Sequence, residues 1–463
     1  MPKALERIWI GLDWGTHSSK WWYEAAEEPG KLLPPTKAQA VIDSTIHRSG
    51  QKLSLVKERE IPKSECQDPR LKRRLLDDPL GADYWGAIRE GIGISLGEAA
   101  TLSLGVLLGD VVRDLASRDY VIVPDKTAVE IRYSLPNWIS SEPTHQASRK
   151  RMFQTATILS LMVAEREFER LPGVGKEIGI EEWRTLVKAI RESPTCQKLF
   201  EKGPNDFGSL IGGPFSIPDR PSVSWRMVVE STAAGFPQLQ HFLMPAEDAR
   251  KTEDHWVKLL VVDVGAGSTD AGYFISSRKA DGRLLLNYLK PASTLDYAGE
   301  QLTEMLKRFY LRRKNREITI QEAETIKLNA PDEWKDEQFV VDWREQIAEH
   351  VGEYMRHVPD ELRLPEPSIP GLKIVMTGGS GLVEGLDRAV WNAVAEALAR
   401  RDIPHNVANR TEITELTLDW PEDRFDRARR AVSIGAANSN FAQLEYVEGF
   451  GKATLIKTSV QRW

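Results

Sequence analysis

Ile10-Gly11-Leu12-Asp13-Trp14-Gly15-Thr16, near the start of the chain, has a counterpart in Val262-Asp263-Val264-Gly265-Ala266-Gly267-Ser268-Thr269-Asp270 in its middle. Each reads as a buried apolar strand ending in Asp, followed by a Gly-containing turn rich in hydroxyls. An aspartate at a strand's end can face a hydrated metal ion, and glycines let a tight turn bring backbone N–H groups against phosphate oxygens. Two such hairpins facing each other would grip one triphosphate from both sides. The duplication therefore predicts two similar lobes with a nucleotide between them.

A third stretch, Ile374-Val375-Met376-Thr377-Gly378-Gly379-Ser380-Gly381-Leu382-Val383, is another apolar strand ending in Gly-Gly and running into a helix that starts near Gly385. Its glycines would let a flat base and sugar lie against the backbone. In this order, the three stretches resemble the phosphate-1, phosphate-2 and adenosine motifs of the ATPase superfamily that contains actin, the sugar kinases and the seventy-kilodalton heat-shock chaperones. Val229-Glu230-Ser231-Thr232-Ala233-Ala234-Gly235 is similar to the chaperones' first connecting motif, and Ala431-Val432-Ser433-Ile434-Gly435-Ala436-Ala437 to their second. A hairpin expected through Ala280-Asp281-Gly282-Arg283 precedes Ala298-Gly299-Glu300-Gln301-Leu302, which resembles the chaperones' Gly-Gly-Glu-Asp-Phe. Ala323-Glu324-Thr325-Ile326-Lys327 resembles their Ala-Glu-x-x-Lys helix. The resemblance covers almost the whole chain. It implies an α/β protein of actin-like ATPase fold, with two ribonuclease-H-like lobes and a nucleotide cleft between them.

The expected domain limits are a first lobe over 1–253, a second over 254–417, and a return to the first lobe with a short tail over 418–463. Residues 7 to 24 read as paired strands around the first hairpin, Ala40 to His47 as a further strand, and Ser95 to Ser117 as a helix by its apolar period. Between Gln51 and Gly91 the pattern breaks into charged and Pro-bearing pieces, which predicts an irregular surface subdomain. Val129 to Pro136 reads as a strand, followed by a helix from Thr144 to Glu169. An insertion at 171–224 departs from the chaperone pattern, with a helix around Glu181 to Arg191 and a Gly/Pro-rich run from Gly203 to Pro221. Such a connection is either functional or mobile, or else a surface elaboration. The short stretch after Ala437 leads to the expectation of an ATPase part without the chaperones' peptide-binding domain.

With 463 residues, 41% of them hydrophobic and 28% charged, the chain can build two substantial cores. Two cysteines, Cys66 and Cys196, make neither a disulfide framework nor a zinc site and fit a reducing cytoplasm. The opening Met1 to Arg7 is not a secretory signal, and the longest apolar segments, Ile94 to Leu108 and Thr155 to Ala164, suit core helices better than a bilayer. A net charge of −6 argues against nucleic acid as a partner, and the basic, aromatic run Lys307 to Arg316 reads as a solvated helical face.

Magnesium prefers oxygen ligands and keeps most of its waters, so one or two carboxylates plus phosphate oxygens suffice. The resemblance assigns Mg to Asp13 and Asp263, largely through water. Gly15, Thr16, His17 and Ser18 would surround the phosphates from one side, and Gly265, Gly267, Ser268 and Thr269 from the other, with Asp270 a further polar candidate. His17 and Trp14 replace the family's small polar and aliphatic residues; the His17 side chain is expected to point away from the phosphates and Trp14 to be core. Glu230 stands where the family places a carboxylate near the attacking water, a role in orienting that water or accepting its proton. An N-cap for the helix beginning at Ser231-Thr232 is the structural alternative. Glu324 and Lys327 share a helix face and, with Gly299, Gly378, Gly379 and Ser380, would line the ribose and adenine. Leu382 replaces an arginine that stacks on adenine in many chaperones, and Arg429-Arg430 replaces an acidic position. The family's catalytic lysine has no match, because the stretch holding Lys57, Lys63 and Lys72 does not align.

The leading expectation is a slow, Mg-dependent ATPase that acts as a chaperone-like switch, its nucleotide state controlling a specific protein partner. An actin-like filament-forming ATPase is the alternative. A small-molecule kinase is a further one, since Gly11 to Lys20 resembles the sugar-kinase start while Glu230 to Gly235 fits the chaperone and actin branches better. Oligomeric state is left open.

Overall fold

The computed structural model describes residues 2–35, 41–57, 60, 66–68, 71–72, 83–135, 143–202, 214–243, 256–278, 284–288, 293–329, 331–357, 372–399, 412–413, 424–439 and 445–448. The protein is mixed α/β and divides into two compact units, Met1–Ala233 with Val432–Ser439, and Ala234–Ala431 with Asn440–Trp463.

The first unit holds β1 (Arg7–Asp13), β2 (Ser18–Glu28), α1 (Leu96–Ser117), β3 (Ala128–Leu135), α2 (Pro143–Ala164), α3 (Ile180–Arg191), β4 (Arg220–Val229) and the start of α4 (Glu230–Leu243). Its main sheet runs Phe215–Ile217, β4, β3, β1, β2, Lys31–Leu32, with Ile42–Asp43 also on β2. β1 and β2 are antiparallel, whereas β1, β3 and β4 are mutually parallel neighbours. Ile8, Ile10 and Leu12 of β1 are fully buried, the alternation that a core-facing strand requires. α1 begins at a capping box: the Glu98 N–H donates to Ser95 Oγ at 3.2 Å, and the Ser95 N–H to Glu98 Oε2 at 2.7 Å.

The described start of the 171–224 segment, which the sequence leaves as either a functional or mobile connection or a surface elaboration, is built into this unit. Leu171, Ile178, Ile180, Trp183, Leu186, Val187, Ile190, Cys196 and Leu199 are buried members of its hydrophobic core. Trp183 is fully buried, and its Nε1–H donates to the Glu98 carbonyl at 2.9 Å. Ile178–Gly179 pairs with Lys52–Ser54, and with Ile46–Ser49 and Cys66–Asp68 they form a four-stranded sheet. Part of the stretch expected to be irregular is thus sheet, and the expected single strand from Ala40 to His47 is two short ones, Ile42–Asp43 and Ile46–Ser49. A surface elaboration would not supply a buried Trp, so 171–202 is core. The Gly/Pro run lies outside the described residues as far as 213.

The second unit holds β5 (Trp256–Val264), β6 (Thr269–Arg278), α5 (Gly299–Lys314), α6 (Ile320–Asn329), α7 (Gln338–Arg356), β7 (Leu372–Thr377), α8 (Leu386–Ala399) and most of α9 (Arg424–Ala437). Its sheet runs Glu412–Ile413, β7, β5, β6, Leu284–Tyr288, Glu445–Glu448, with Ser293–Leu295 also on β6. β5 and β6 are antiparallel and β5 and β7 parallel, so the hairpin with a parallel neighbour recurs. β6 pairs antiparallel with Leu284–Tyr288, the hairpin expected there, although its turn 280–283 lies outside the described residues. The core gathers Leu302, Trp334, Trp343, Ile347, Ile374 and Leu386, among others. The basic, aromatic run is only partly a solvated face: Leu311 is half exposed and Arg313, Lys314 and Arg316 pair with Glu337, Glu333 and Glu322, whereas Tyr310 is buried in the core and Phe309 packs against it.

The division between units falls inside α4 and α9 rather than at 253 and 417. The last turn of α9 belongs to the first unit and lies directly on β1. A Cβ at Gly11 would sit 2.3 Å from the Ser433 carbonyl oxygen, so only glycine allows this approach. Arg132 Nη1 donates to the Ala436 and Asn438 carbonyls at 2.7 and 2.6 Å, satisfying acceptors that the helix end leaves open. Among the described residues, no helix is long and apolar enough to cross a membrane.

Candidate functional site: two hairpins and a buried charge network

In the first unit, β1 ends at Asp13, which pairs across the hairpin with Lys20. Both are buried, with Lys20 Nζ 3.4 Å from Asp13 Oδ2 and donating to the Ser18 carbonyl at 3.0 Å. Gly15, Thr16 and His17 stay partly exposed, while Ser18 is buried and Trp14 belongs to the core. Ser44 fixes the turn: its hydroxyl donates to the Gly15 carbonyl at 2.8 Å and its N–H to the His17 carbonyl at 2.9 Å. A trans peptide holds C=O and the next N–H on opposite sides, so the Thr16 N–H points away from Ser44.

Three parallel strands carry the rest of this half. The β1–β3 register sets Leu12 beside Tyr133, and the β3–β4 register sets Ser134 beside Val228 and Leu135 beside Val229, the residue before Glu230. Asp13, Ser134 and Glu230 therefore come together at the carboxyl ends of adjacent parallel strands, where open α/β sheets place their ligands. The Ser134 hydroxyl lies 3.4 Å from Asp13 Oδ1 and 3.3 Å from Glu230 Oε1. Lys72 Nζ donates to the same Glu230 Oε1 at 2.5 Å, and all three partners are buried. Two carboxylates and two ammoniums thus join through one serine. Of the lysines the sequence left unplaced, Lys72 reaches Glu230, Lys57 is exposed, and Lys63 lies outside the described residues. Glu230 is the first residue of α4, so helix entry and lysine pairing occur together.

In the second unit, Asp263 pairs across its hairpin with Asp270, both carboxylates are buried, and each has an oxygen within 4.8 Å of the other's. The Thr377 hydroxyl, on the parallel neighbour β7, donates to Asp263 Oδ1 at 2.8 Å. Ser268 and Thr294 hydroxyls donate to Asp270 at 3.0 and 2.6 Å, whereas the Thr269 hydroxyl is directed to the Tyr297 carbonyl at 2.7 Å. The start of α5 fixes the turn, with the Gly299 N–H donating to the Gly265 carbonyl at 3.1 Å and the Glu300 N–H to the Ala266 carbonyl at 2.7 Å. By the same peptide geometry the Ala266 and Gly267 N–H groups point away from α5.

The expected base and sugar wall lies in the same unit. Gly378 has φ +79°, and a Cβ there would meet the Val264 carbonyl oxygen at 2.3 Å. Ser380 is buried, its N–H donating to that carbonyl at 3.0 Å, and the Arg429 stem runs past Gly379. Lys327 is buried and donates to Glu324 at 2.9 Å, Thr303 Oγ1 at 3.1 Å and the Gly299 carbonyl at 3.3 Å. The Glu324–Lys327 pair is therefore part of a network with Thr303 and Gly299, and Glu324 also accepts from the Thr303 hydroxyl. Sequence reasoning missed Lys20, Lys72, Ser134 and Thr377 as site residues, since strand register and tertiary packing bring them there and no local pattern marks them. No protein-family model matches the chain, and no curated protein matches it.

Proposed function

We propose that the chain is a magnesium-dependent ATPase of actin-like fold, a chaperone-like nucleotide switch in which both hairpins serve one ATP. The observation that carries this reading is the construction of the turns. In each, the carbonyls are bound within their own unit, by Ser44 in one and by the start of α5 in the other, which leaves N–H groups on the opposite side for phosphate oxygens. The shared sheet pattern, a hairpin with a parallel neighbour, supports the fold.

The donor set suits magnesium, since Asp263 and Asp270 offer closely spaced buried carboxylate oxygens. Those two residues, with Asp13, would hold it. Bound there, the ion supplies charge neutralisation on the phosphates. Lys20 brings a positive charge to the first turn. Glu230, held by Lys72 and Ser134, orients the attacking water and accepts its proton late in the reaction. Lys327, Glu324 and Gly378 to Ser380 shape the base and sugar wall.

The proposed output is nucleotide-dependent contact with a specific protein partner. The core role of 171–202 means that deleting this segment would unfold the first unit rather than test a partner surface. The reading is tested by Mg·ATP hydrolysis and binding in Glu230→Ala: hydrolysis should fall with binding nearly intact. Loss of binding with an unchanged single-turnover rate would leave Glu230 as a helix-entry residue only.

A further inference from the structure

We propose that Ser134 is a positioning residue that couples the first-hairpin carboxylate to the catalytic carboxylate; this rests on the ATPase reading above. Ser134 lies on β3, between β1 and β4, and is 1% exposed. A serine with no polar partner would be costly there, because a buried hydroxyl loses its water. Here it has two acceptors, Asp13 Oδ1 at 3.4 Å and Glu230 Oε1 at 3.3 Å.

A hydroxyl carries one proton. Both distances are long for O–H···O, where 2.7–2.8 Å is usual, as suits a proton divided between two anionic acceptors. Whichever carboxylate is taken up by another partner leaves the hydroxyl to the other. When a cation engages Asp13, the Ser134 proton turns to Glu230 Oε1. There it joins Lys72 Nζ, which already donates to that oxygen at 2.5 Å. Two donors on one oxygen fix the rotation of the carboxylate, so its other oxygen takes one direction. Occupation of the hairpin thereby sets the orientation of the group that positions water. Ser134 itself touches no substrate.

A second strand-end hydroxyl supports a design over an accident. In the other unit Thr377 donates to Asp263 Oδ1 from the corresponding place on a parallel neighbour. Thr377 stands directly opposite Asp263 in register; Ser134, one residue past the Leu12–Tyr133 pair, stands opposite Asp13 in the same way. Only Ser134 also reaches a carboxylate at the head of a helix.

The test uses the full chain and two variants of matched shape, Ser134→Val and Ser134→Thr, with Ser134→Ala as a second hydroxyl-free variant should valine disturb the strand. Thermal unfolding checks that each folds, titration calorimetry with Mg·ATP gives Kd, and steady-state hydrolysis gives kcat and KM. Loss of a hydrogen bond to a charged group is expected to lower kcat roughly tenfold in the valine and alanine variants. KM and Kd should stay within about twofold, as for an interaction made in the transition state. Threonine should restore at least about half of kcat, because it keeps the hydroxyl. Wild-type kcat in the hydroxyl-free variants, a threonine variant as slow as the valine one, or a loss confined to KM would overturn the proposal while leaving the ATPase reading intact. A wild-type chain that binds or hydrolyses no Mg·ATP would remove both together.

Discussion

The two hairpins share a backbone and differ in charge. Each has a buried strand-end Asp, a hydroxyl donor from the parallel neighbouring strand, and a turn whose carbonyls are bound within its own unit. Across the hairpin, however, Asp13 meets Lys20 and Asp263 meets Asp270. One residue at an equivalent register position thus changes the charge set beside the strand-end Asp from positive to negative. In the first unit the Asp charge is met by an ammonium, and a second ammonium, Lys72, meets Glu230. In the second, two carboxylates lie within 4.8 Å and are met by hydroxyls. On the reading proposed above, the first hairpin would serve mainly the phosphates and the chemistry, and the second mainly magnesium.

That division can be broken at four points. The largest effect is expected at Glu230. Glu230→Ala should reduce kcat about a hundredfold, in line with the loss of general-base assistance, while the magnesium dependence of ATP binding stays as in the wild type. A changed magnesium midpoint would place Glu230 in the metal-holding half instead. Next comes the pair of hairpin aspartates. Asp263→Ala should weaken magnesium-supported ATP binding by roughly a hundredfold, equivalent to about 3 kcal/mol. Asp13→Ala should weaken it only about tenfold, because Lys20 remains to face the phosphates. Equal losses, measured by calorimetry at several magnesium concentrations, would erase the distinction between the hairpins.

Lys20→Met sharpens the comparison from the other side. Binding of ATP should weaken by about fivefold with or without magnesium, since a phosphate-facing ammonium acts on both forms. An effect seen only with magnesium would mean that Lys20 serves the metal through Asp13. The smallest effect is expected at Thr377→Val, which removes one hydroxyl donor from Asp263. A rise of about threefold in the magnesium concentration needed for half-maximal ATP binding should follow, comparable to losing part of a second-layer contact. Its kcat at saturating magnesium should be unchanged, in contrast to that of the Ser134 variants.

Much of this is legible in the sequence. The apolar strands, their terminal aspartates and the glycine turns follow from residue type, and the apolar period from Ser95 to Ser117 marks α1. Other parts were hidden for physical reasons. Lys72 sits in a charged stretch with no period, and only tertiary packing brings it to Glu230, 158 residues on. Ser134 looks like an ordinary strand serine, because its partners come from strands on either side whose register no local pattern encodes. The helix Ile180–Arg191 did show its buried face, with Trp183, Leu186, Val187 and Ile190 at helical spacing. Its place outside the chaperone pattern leaves a functional or mobile connection and a surface elaboration as alternatives. Amphipathic spacing was the better guide, since a face bearing a Trp and three aliphatic residues must be covered by something.

The central claim, that the second hairpin supplies the magnesium-holding half of an ATP site, is tested most directly by calorimetric titration of ATP into the full-length chain with and without magnesium, for the wild type and for Asp263→Ala. The account predicts saturable binding by the wild type that tightens at least about tenfold when magnesium is present, and binding by the variant that is equally weak in both conditions. Wild-type binding indifferent to magnesium, or a variant that keeps the full magnesium response, would contradict it.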